Sequence, residues 1–285
     1  MLAIRPRTLP AAEAGVIMGS ALAWRDGHFR LDAALACLLT ALLLQIGSNL
    51  ANDVFDFERG TDTPERLGPV RVTQAGLLTP LQVKAGMVIA FTLAALLGSY
   101  LAWLGGWIII LIGLAAIISA IAYTGGPFPL GYHGLGDLFV FLFFGLAAVT
   151  GTYYVQAGFV SAAAWWMTIP PGLIITAILV VNNLRDLEND RKAGKRTLAV
   201  MLGVRATKTQ YLLCILAAYL VMPLAAWLDV IPWSALLAWL SLPLAIRSAW
   251  VVLTKKGHPL NAALAGTGQT ALLFSILFWT GLLFT

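Results

Sequence analysis

Val181–Val200 reads VNNLRDLENDRKAGKRTLAV, and its reading decides the fold. The apolar run from Ile169 to Val181 passes into it with no turn residue after Gly172, and carboxylates, amides and cations then arrive together. This is the pattern of a helix leaving a membrane with a charged end. Each helical residue advances about 100°, so Asn182, Asp186 and Asp190, spaced by four, share a sector of roughly 80°. Two carboxylates and an amide therefore point the same way. A second cluster, Asn49, Asn52, Asp53 and Asp56, closes another long apolar run. A weak internal echo links the two: Asn52-Asp53, Asp56 and Gly60-Thr61-Asp62 against Asn183, Asp186, Asp190 and Gly194-Lys195-Arg196-Thr197.

Composition sets the environment. Of the 285 residues 60% are apolar, and a mean hydropathy of +0.85 takes the chain out of the soluble class. A span needs about 20 apolar residues to cross roughly 30 Å of hydrocarbon. Nine stretches qualify: Thr8–Trp24, Leu31–Ala51, Leu81–Leu104, Trp107–Tyr123, Leu135–Gln156, Ala162–Val181, Lys208–Leu228, Pro232–Leu253 and Ala262–Phe284. The expected fold is all-α, a polytopic membrane bundle of about nine transmembrane helices in one domain, 1–285, with pseudo-repeated halves near 1–134 and 135–285. Ala21-Leu22-Ala23 resembles a signal-peptide cleavage site, but Glu13 interrupts the apolar region and eight further spans follow, so the first stretch reads as a transmembrane helix. Cys37 and Cys214 both fall inside spans and read as packing residues, not as a disulfide.

The net charge of +5 does not point to nucleic acid, because the cations sort by loop. With nine spans and a cytoplasmic N-terminus, every Lys and Arg except Arg25 and Arg30 lies on the inner side, which fixes the orientation. Both acidic clusters then lie on the cytoplasmic face. The segment Gly60–Pro80, GTDTPERLGPVRVTQAGLLTP, is long, polar and rich in Gly and Pro, as a loop that is either disordered or functional would be, and it sets Arg71 beside Thr73 and Gln74. The loop TGGPFPLGYHGLG carries no Lys or Arg, and its aromatics Tyr123, Phe128 and Tyr132 are expected to line a hydrophobic entrance. His28, His133 and His258 have no partners at zinc-ligand spacing.

Carboxylates are costly near a bilayer unless cations are shared among them, and an all-oxygen set of Asp and Asn suits Mg²⁺, whose shell is completed by phosphate oxygens and water. Two such clusters suggest two or more ions bridging one diphosphate. Arg71, Lys195 and Arg196 lie where they could hold its oxygens as charge builds on the leaving group, whereas Lys192, Arg205 and Lys208 read as inner-side anchors. No Ser/His/Asp or Cys/His arrangement can be assembled, and the Gly pairs lack the Lys-Ser/Thr of a nucleotide loop. Metal-assisted ionisation of a diphosphate ester remains. Two other classes stay open: a cation-coupled transporter, whose site belongs nearer the midplane, and a CDP-alcohol phosphatidyl transferase, whose Asp residues belong in one continuous segment.

The motifs NDVFDFERGTD and NNLRDLENDRKAGKRTLA resemble the two aspartate-rich motifs of the UbiA-type intramembrane prenyltransferases. RPRTLPAA, GPVRVTQAGLL and YTGGPFPLGYHGLGDLFVFLFFG extend the similarity toward the branch whose acceptor is 1,4-dihydroxy-2-naphthoate. The resemblance implies transfer of a polyprenyl group from polyprenyl diphosphate to that acceptor, with loss of carbon dioxide, giving demethylmenaquinone. Acceptors such as 4-hydroxybenzoate, homogentisate or a haem precursor stay open. It implies Mg²⁺ on Asn49, Asp53, Asp56, Asp186 and Asp190, with Asp53, Asp56, Asp186, Asp190, Arg71 and Lys195 catalytic. Substrate contacts are implied for Asn49, Asn52, Arg71, Tyr123, Asn182, Asn183, Lys195 and Arg196. Tyr123 and Phe55 are expected to shield an allylic cation, and Arg5, Arg7 and Lys195 to read the acceptor's carboxylate. Two departures stand out: Gly60 replaces a third Asp of the first motif, leaving Asp62 as a candidate, and the family's Tyr-x-x-x-Lys element is broken, since Pro127 stands where the lysine belongs.

Overall fold

A computed structural model describes residues 2–61 and 67–284, with the side chains of Leu2 and Arg7 left aside; Asp62, a sequence candidate, lies outside the described residues. Among those described, the chain is helical throughout and has no strand. The helices are α1 (Leu9–Arg25), α2 (Leu31–Glu58), α3 (Pro80–Gly105), α4 (Trp107–Ala122), α5 (Gly136–Ala157), α6 (Ala162–Lys192), α7 (Leu198–Trp227), α8 (Trp233–Thr254) and α9 (Leu260–Leu282). Seven of them are long and apolar enough to cross a membrane. The shorter apolar α4 and the Glu13-bearing α1 complete the nine that the hydropathy pattern predicts.

Local sequence sets the ends. Pro10 and Pro80 sit in the first turns of α1 and α3, where a missing N–H costs nothing. Thr79 and Gln82 close a capping box on α3: the Gln82 N–H donates to Thr79 Oγ1 (3.3 Å) and the Thr79 N–H to Gln82 Oε1 (2.9 Å). Gly106, at φ 75°, turns the chain from α3 directly into α4. Inside α5, residues Phe141–Ala147 form π-helical turns, and α7 carries a backbone break at Gly203. The sequence placed the start of the seventh span at Lys208. The structure begins that helix at Leu198, capped by Thr197, whose Oγ1 accepts the Val200 N–H at 3.4 Å.

The helices alternate in direction, so the inter-helix segments after α2, α4, α6 and α8 share one end of the bundle. That end holds both acidic clusters and nearly all the cations. The opposite end carries exposed Trp24, Trp103, Trp107, Trp165, Trp227 and Trp233, an aromatic belt of the kind found at a membrane interface. The larger apolar core joins α1 and the second half of α5 to α6, α7, α8 and α9, with Met18, Tyr153, Tyr211, Met222, Phe274 and Phe278 fully enclosed. α1 packs against α9, so the first helix closes on the last. The other side of the bundle is more open: α4 buries none of its side chains completely, and a cavity of about 890 Å³ opens between it and α1, α2, α3, α5 and α6.

Candidate active site

Both acidic clusters ride on helices longer than the spans read from sequence. α2 runs to Glu58 and α6 to Lys192, so the charged residues are continuous C-terminal turns of membrane helices. The last turns of α2 present Gln45, Ser48, Asn49, Asn52 and Asp56 to the cavity, while α6 presents Asn182, Asn183, Asp186, Asn189 and Asp190. One chamber therefore receives both segments. They also meet directly, since Lys195, just beyond α6, donates to Asp56 Oδ1 at 2.9 Å.

Asp56 is the hub. It is 3% exposed, and it accepts from Arg71 Nη2 (2.9 Å), Lys195 Nζ (2.9 Å) and the Tyr132 hydroxyl (2.5 Å). Thr61 Oγ1 lies 3.3 Å from the same carboxylate. Two cations therefore converge on one buried carboxylate at the cavity wall. Breaking such a buried pair by deleting one partner typically costs about 3–5 kcal/mol. Across the chamber Arg185 clasps Asp186, with Nε to Oδ1 at 2.9 Å and Nη2 to Oδ2 at 2.5 Å.

Asp53 departs from its expected role. It is 1% exposed, does not line the cavity, and receives the backbone N–H groups of Val72 (3.1 Å, on Oδ2) and Thr73 (3.0 Å, on Oδ1). Both oxygens are turned to the loop, so this geometry holds the Arg71 segment in place and does not offer a metal ligand. Asn49 is likewise occupied: its amide donates to the Ile4 carbonyl (2.9 Å) and Thr8 Oγ1 (3.0 Å), fixing the N-terminal segment over α2. Asn52 accepts from Thr124 at 3.0 Å. Arg196 has an exposed side chain outside the cavity, and its contact with the site is a backbone N–H donated to the Tyr132 carbonyl at 2.9 Å. Arg5 lines the chamber in a left-handed conformation (φ 54°), its Nη2 3.9 Å from Asp53 Oδ2.

The aromatics also redistribute. Tyr132 does not belong to a hydrophobic entrance; it stands in the charged centre, with Lys195 Nζ 4.6 Å and Arg59 5.5 Å from its ring centroid. Burial first, and then the neighbouring Asp56 charge, push its phenol well above the ordinary value, so it stays a neutral donor. Phe128 is exposed and stacks on His133 at 3.8 Å. Phe55 packs beside Gly125 and is absent from the cavity wall. Tyr123 does line it, together with Phe139, Phe143 and Phe144, which the sequence reading missed. Their signal was the run FVFLFFG, indistinguishable in composition from any apolar helix.

A model described as the UbiA prenyltransferase family matches residues 14–276. The chain belongs to the UbiA prenyltransferase family. It is 40% identical to an Escherichia coli K12 protein described as 1,4-dihydroxy-2-naphthoate octaprenyltransferase, over 98% of this chain and 93% of that one. A Haemophilus influenzae protein of the same description is 39% identical over 98% and 94%. Among solved structures, the apo UbiA homolog from Aeropyrum pernix K1 superposes with a TM-score of 0.71 at 16% identity, covering 99% of this chain and 97% of that one. A UbiA homolog from Archaeoglobus fulgidus bound to GPP and Mg²⁺ gives 0.66 at 16% identity, covering 99% of each. At such identities the likeness carries the fold alone.

The donor set of this UbiA chain suits a hard divalent ion. Asp56, Asp186 and Asp190 line the chamber with carboxylates, Asp56 held there by Arg71 and Lys195 and Asp186 by Arg185, and Asn52, Asn182, Asn183 and Asn189 add amides. Among the described residues no three carboxylate, His or Cys side chains form a ready-made cage. Mg²⁺ takes one or two carboxylates and completes its shell with phosphate oxygens and water.

Proposed function

We propose that this chain transfers a polyprenyl group from polyprenyl diphosphate to 1,4-dihydroxy-2-naphthoate, with loss of carbon dioxide and diphosphate, giving the quinol form of demethylmenaquinone at the cytoplasmic face of a bacterial inner membrane. The observation that carries the reading is one cavity with two unlike ends. Asp56, Asp186, Asp190, Arg71 and Lys195 crowd one end, and Ala94, Leu101, Ile110, Ile117, Phe143 and Val155 line the rest. An amphiphile with a diphosphate head and an isoprenoid tail matches that division, and the exposed α3 and α4 wall gives the tail a lateral route to lipid. The descriptions of the 40%-identical relatives supply the acceptor.

In this reading Asp56, Asp186 and Asp190, assisted by Asn52, Asn182 and Asn183, would hold Mg²⁺, which supplies Lewis-acid neutralisation of the diphosphate when bound. Arg71 and Lys195, both already beside Asp56, contact the diphosphate oxygens and stabilise the charge that develops as the allylic C–O bond breaks. Phe139, Phe143, Phe144 and Tyr123 shield the allylic carbon from water and face it with aromatic π-density. Gln45 and Asn49, about two to three turns along α2 from Asp56, form a polar shelf with Arg5 and Thr8 of the N-terminal segment. There Arg5 receives the acceptor's carboxylate, and the electron-rich ring carbon supplies the pair for the new C–C bond.

The test is a transfer assay with purified protein in detergent, one polyprenyl diphosphate, and each of 1,4-dihydroxy-2-naphthoate, 4-hydroxybenzoate and homogentisate. Product with the naphthoate alone, lost on chelation and restored by Mg²⁺, is the expected result. Transfer to another acceptor in preference, or no transfer without a sealed membrane, overturns the assignment.

A further inference from the structure

The Arg185 side chain is fully buried beside the second acidic segment, and it does not line the cavity. Its guanidinium makes four hydrogen bonds to protein. Nε and Nη2 clasp Asp186, Nη2 also donates to Asn182 Oδ1 (2.8 Å), and Nη1 donates to Asn261 Oδ1 (2.7 Å). Asn261, in the first turn of α9, uses its other end as well: Nδ2 donates to the Leu67 carbonyl at 3.0 Å. Leu67 lies four residues before Arg71 on the segment that joins α2 to α3. A continuous chain of contacts thus runs from Asp186 through Arg185 and Asn261 to Leu67, and along four residues of backbone to Arg71 and Asp56.

We propose that Asn261 is a positioning residue for the diphosphate site, holding the second acidic segment in register with the loop that presents Arg71. This rests on the functional reading above. The residue type is the one the position demands, because its oxygen must accept from a cation while its nitrogen donates to a backbone carbonyl. A carboxylate there would compete with Asp186 for Arg185, and an aliphatic side chain would leave both Arg185 Nη1 and the Leu67 carbonyl without this partner. The loop therefore has two anchors around Arg71: Asp53 grips Val72 and Thr73 just after it, and Asn261 grips Leu67 just before it. The first ties it to α2, the second to α6 and α9. Outer-shell contacts of this kind typically change metal affinity or activity by about 10–100-fold when removed.

The experiment measures binding of a non-reacting prenyl thiodiphosphate in the presence of Mg²⁺, by calorimetry on detergent-purified protein, together with steady-state constants for both substrates. For Asn261→Leu the expected result is a thiodiphosphate affinity weaker by roughly tenfold or more. KM for the prenyl diphosphate should rise in parallel, while KM for the acceptor stays within about twofold of the parent's. Asn261→Asp, which keeps an acceptor for Arg185 and loses the donor to Leu67, should fall between the two. Should Asn261→Leu not fold, Asn261→Asp alone decides, and parental thiodiphosphate affinity in it overturns the proposal. Equal loss of both substrates also overturns it, since that marks a general structural defect. A parent chain that does not bind the probe removes the functional reading and this inference together; a parent that binds, with variants that bind equally well, removes this inference alone.

Discussion

Asp53 and Asp56 stand three positions apart on one helix, yet their surroundings assign them different work. Asp56 meets two side-chain cations and a phenol at the cavity wall, whereas Asp53 meets two backbone N–H groups behind it. Asp56→Asn should therefore lower kcat/KM by at least a factor of about 100, roughly 2.7 kcal/mol of transition-state stabilisation. Asp53→Asn keeps one acceptor oxygen, strands one buried N–H, and should cost about 1–3 kcal/mol of stability while retaining measurable transfer; thermal unfolding beside steady-state kinetics separates the two. Tyr132→Phe keeps the ring under Lys195 and removes the donor to Asp56. Because the folded phenol titrates above its unfolded value of about 10, the stability it contributes is complete below that pH and fades as pH rises beyond it. The melting-temperature gap between the parent and Tyr132→Phe should accordingly be constant from pH 6 to 9 and shrink above about pH 10. The sequence could name Asp53 and Asp56 as candidates but could not tell them apart, because the discriminating N–H groups belong to Val72 and Thr73, from a loop whose path no local pattern encodes.

Among the elements, α5 does the most with the least sequence signal. Its π-helical turns at Phe141–Ala147 put Phe143 and Phe144 on the cavity wall while Gly145 backs against α6. There α5 and α6 cross on paired glycines: a Cβ on Gly145 would stand 2.7 Å from the Gly172 Cα and 2.7 Å from the Thr168 carbonyl oxygen. Gly145→Leu should overpack this crossing and destabilise the bundle by about 1–3 kcal/mol or more, read as a lowered melting temperature in detergent. The existence of all nine helices was legible, because membrane spans announce themselves by apolar length. The hydrocarbon spans were bounded at Ala51 and Val181, and the helices run on to Glu58 and Lys192, as the four-residue spacing of Asn182, Asp186 and Asp190 required of α6, since a helix continues past the hydrocarbon for as long as its backbone is hydrogen-bonded. The π turn and the break at Gly203 left no such trace, as neither changes composition.

For the whole molecule, the gathering of nearly all the cations at one end, and of six exposed tryptophans at the other, predicts a single orientation. Single cysteines introduced at Lys256 and Arg30, in a background with Cys37 and Cys214 replaced, should react with an impermeant maleimide from opposite sides of sealed inverted vesicles, Lys256→Cys from the outside of such vesicles. Labelling of both from one side contradicts the arrangement. What the sequence conveyed at this scale was that two acidic segments exist and lie on one face; that Lys195 and Tyr132 bring them around one carboxylate required the folded chain. The most direct test is a structure of the protein with Mg²⁺ and a prenyl thiodiphosphate. It should show the diphosphate between Asp56 on one side and Asp186 and Asp190 on the other, with Arg71 and Lys195 on its oxygens and the tail among Phe143, Phe144 and the α3–α4 wall. Metal density confined to one acidic segment, or a diphosphate bound outside this chamber, would contradict the account.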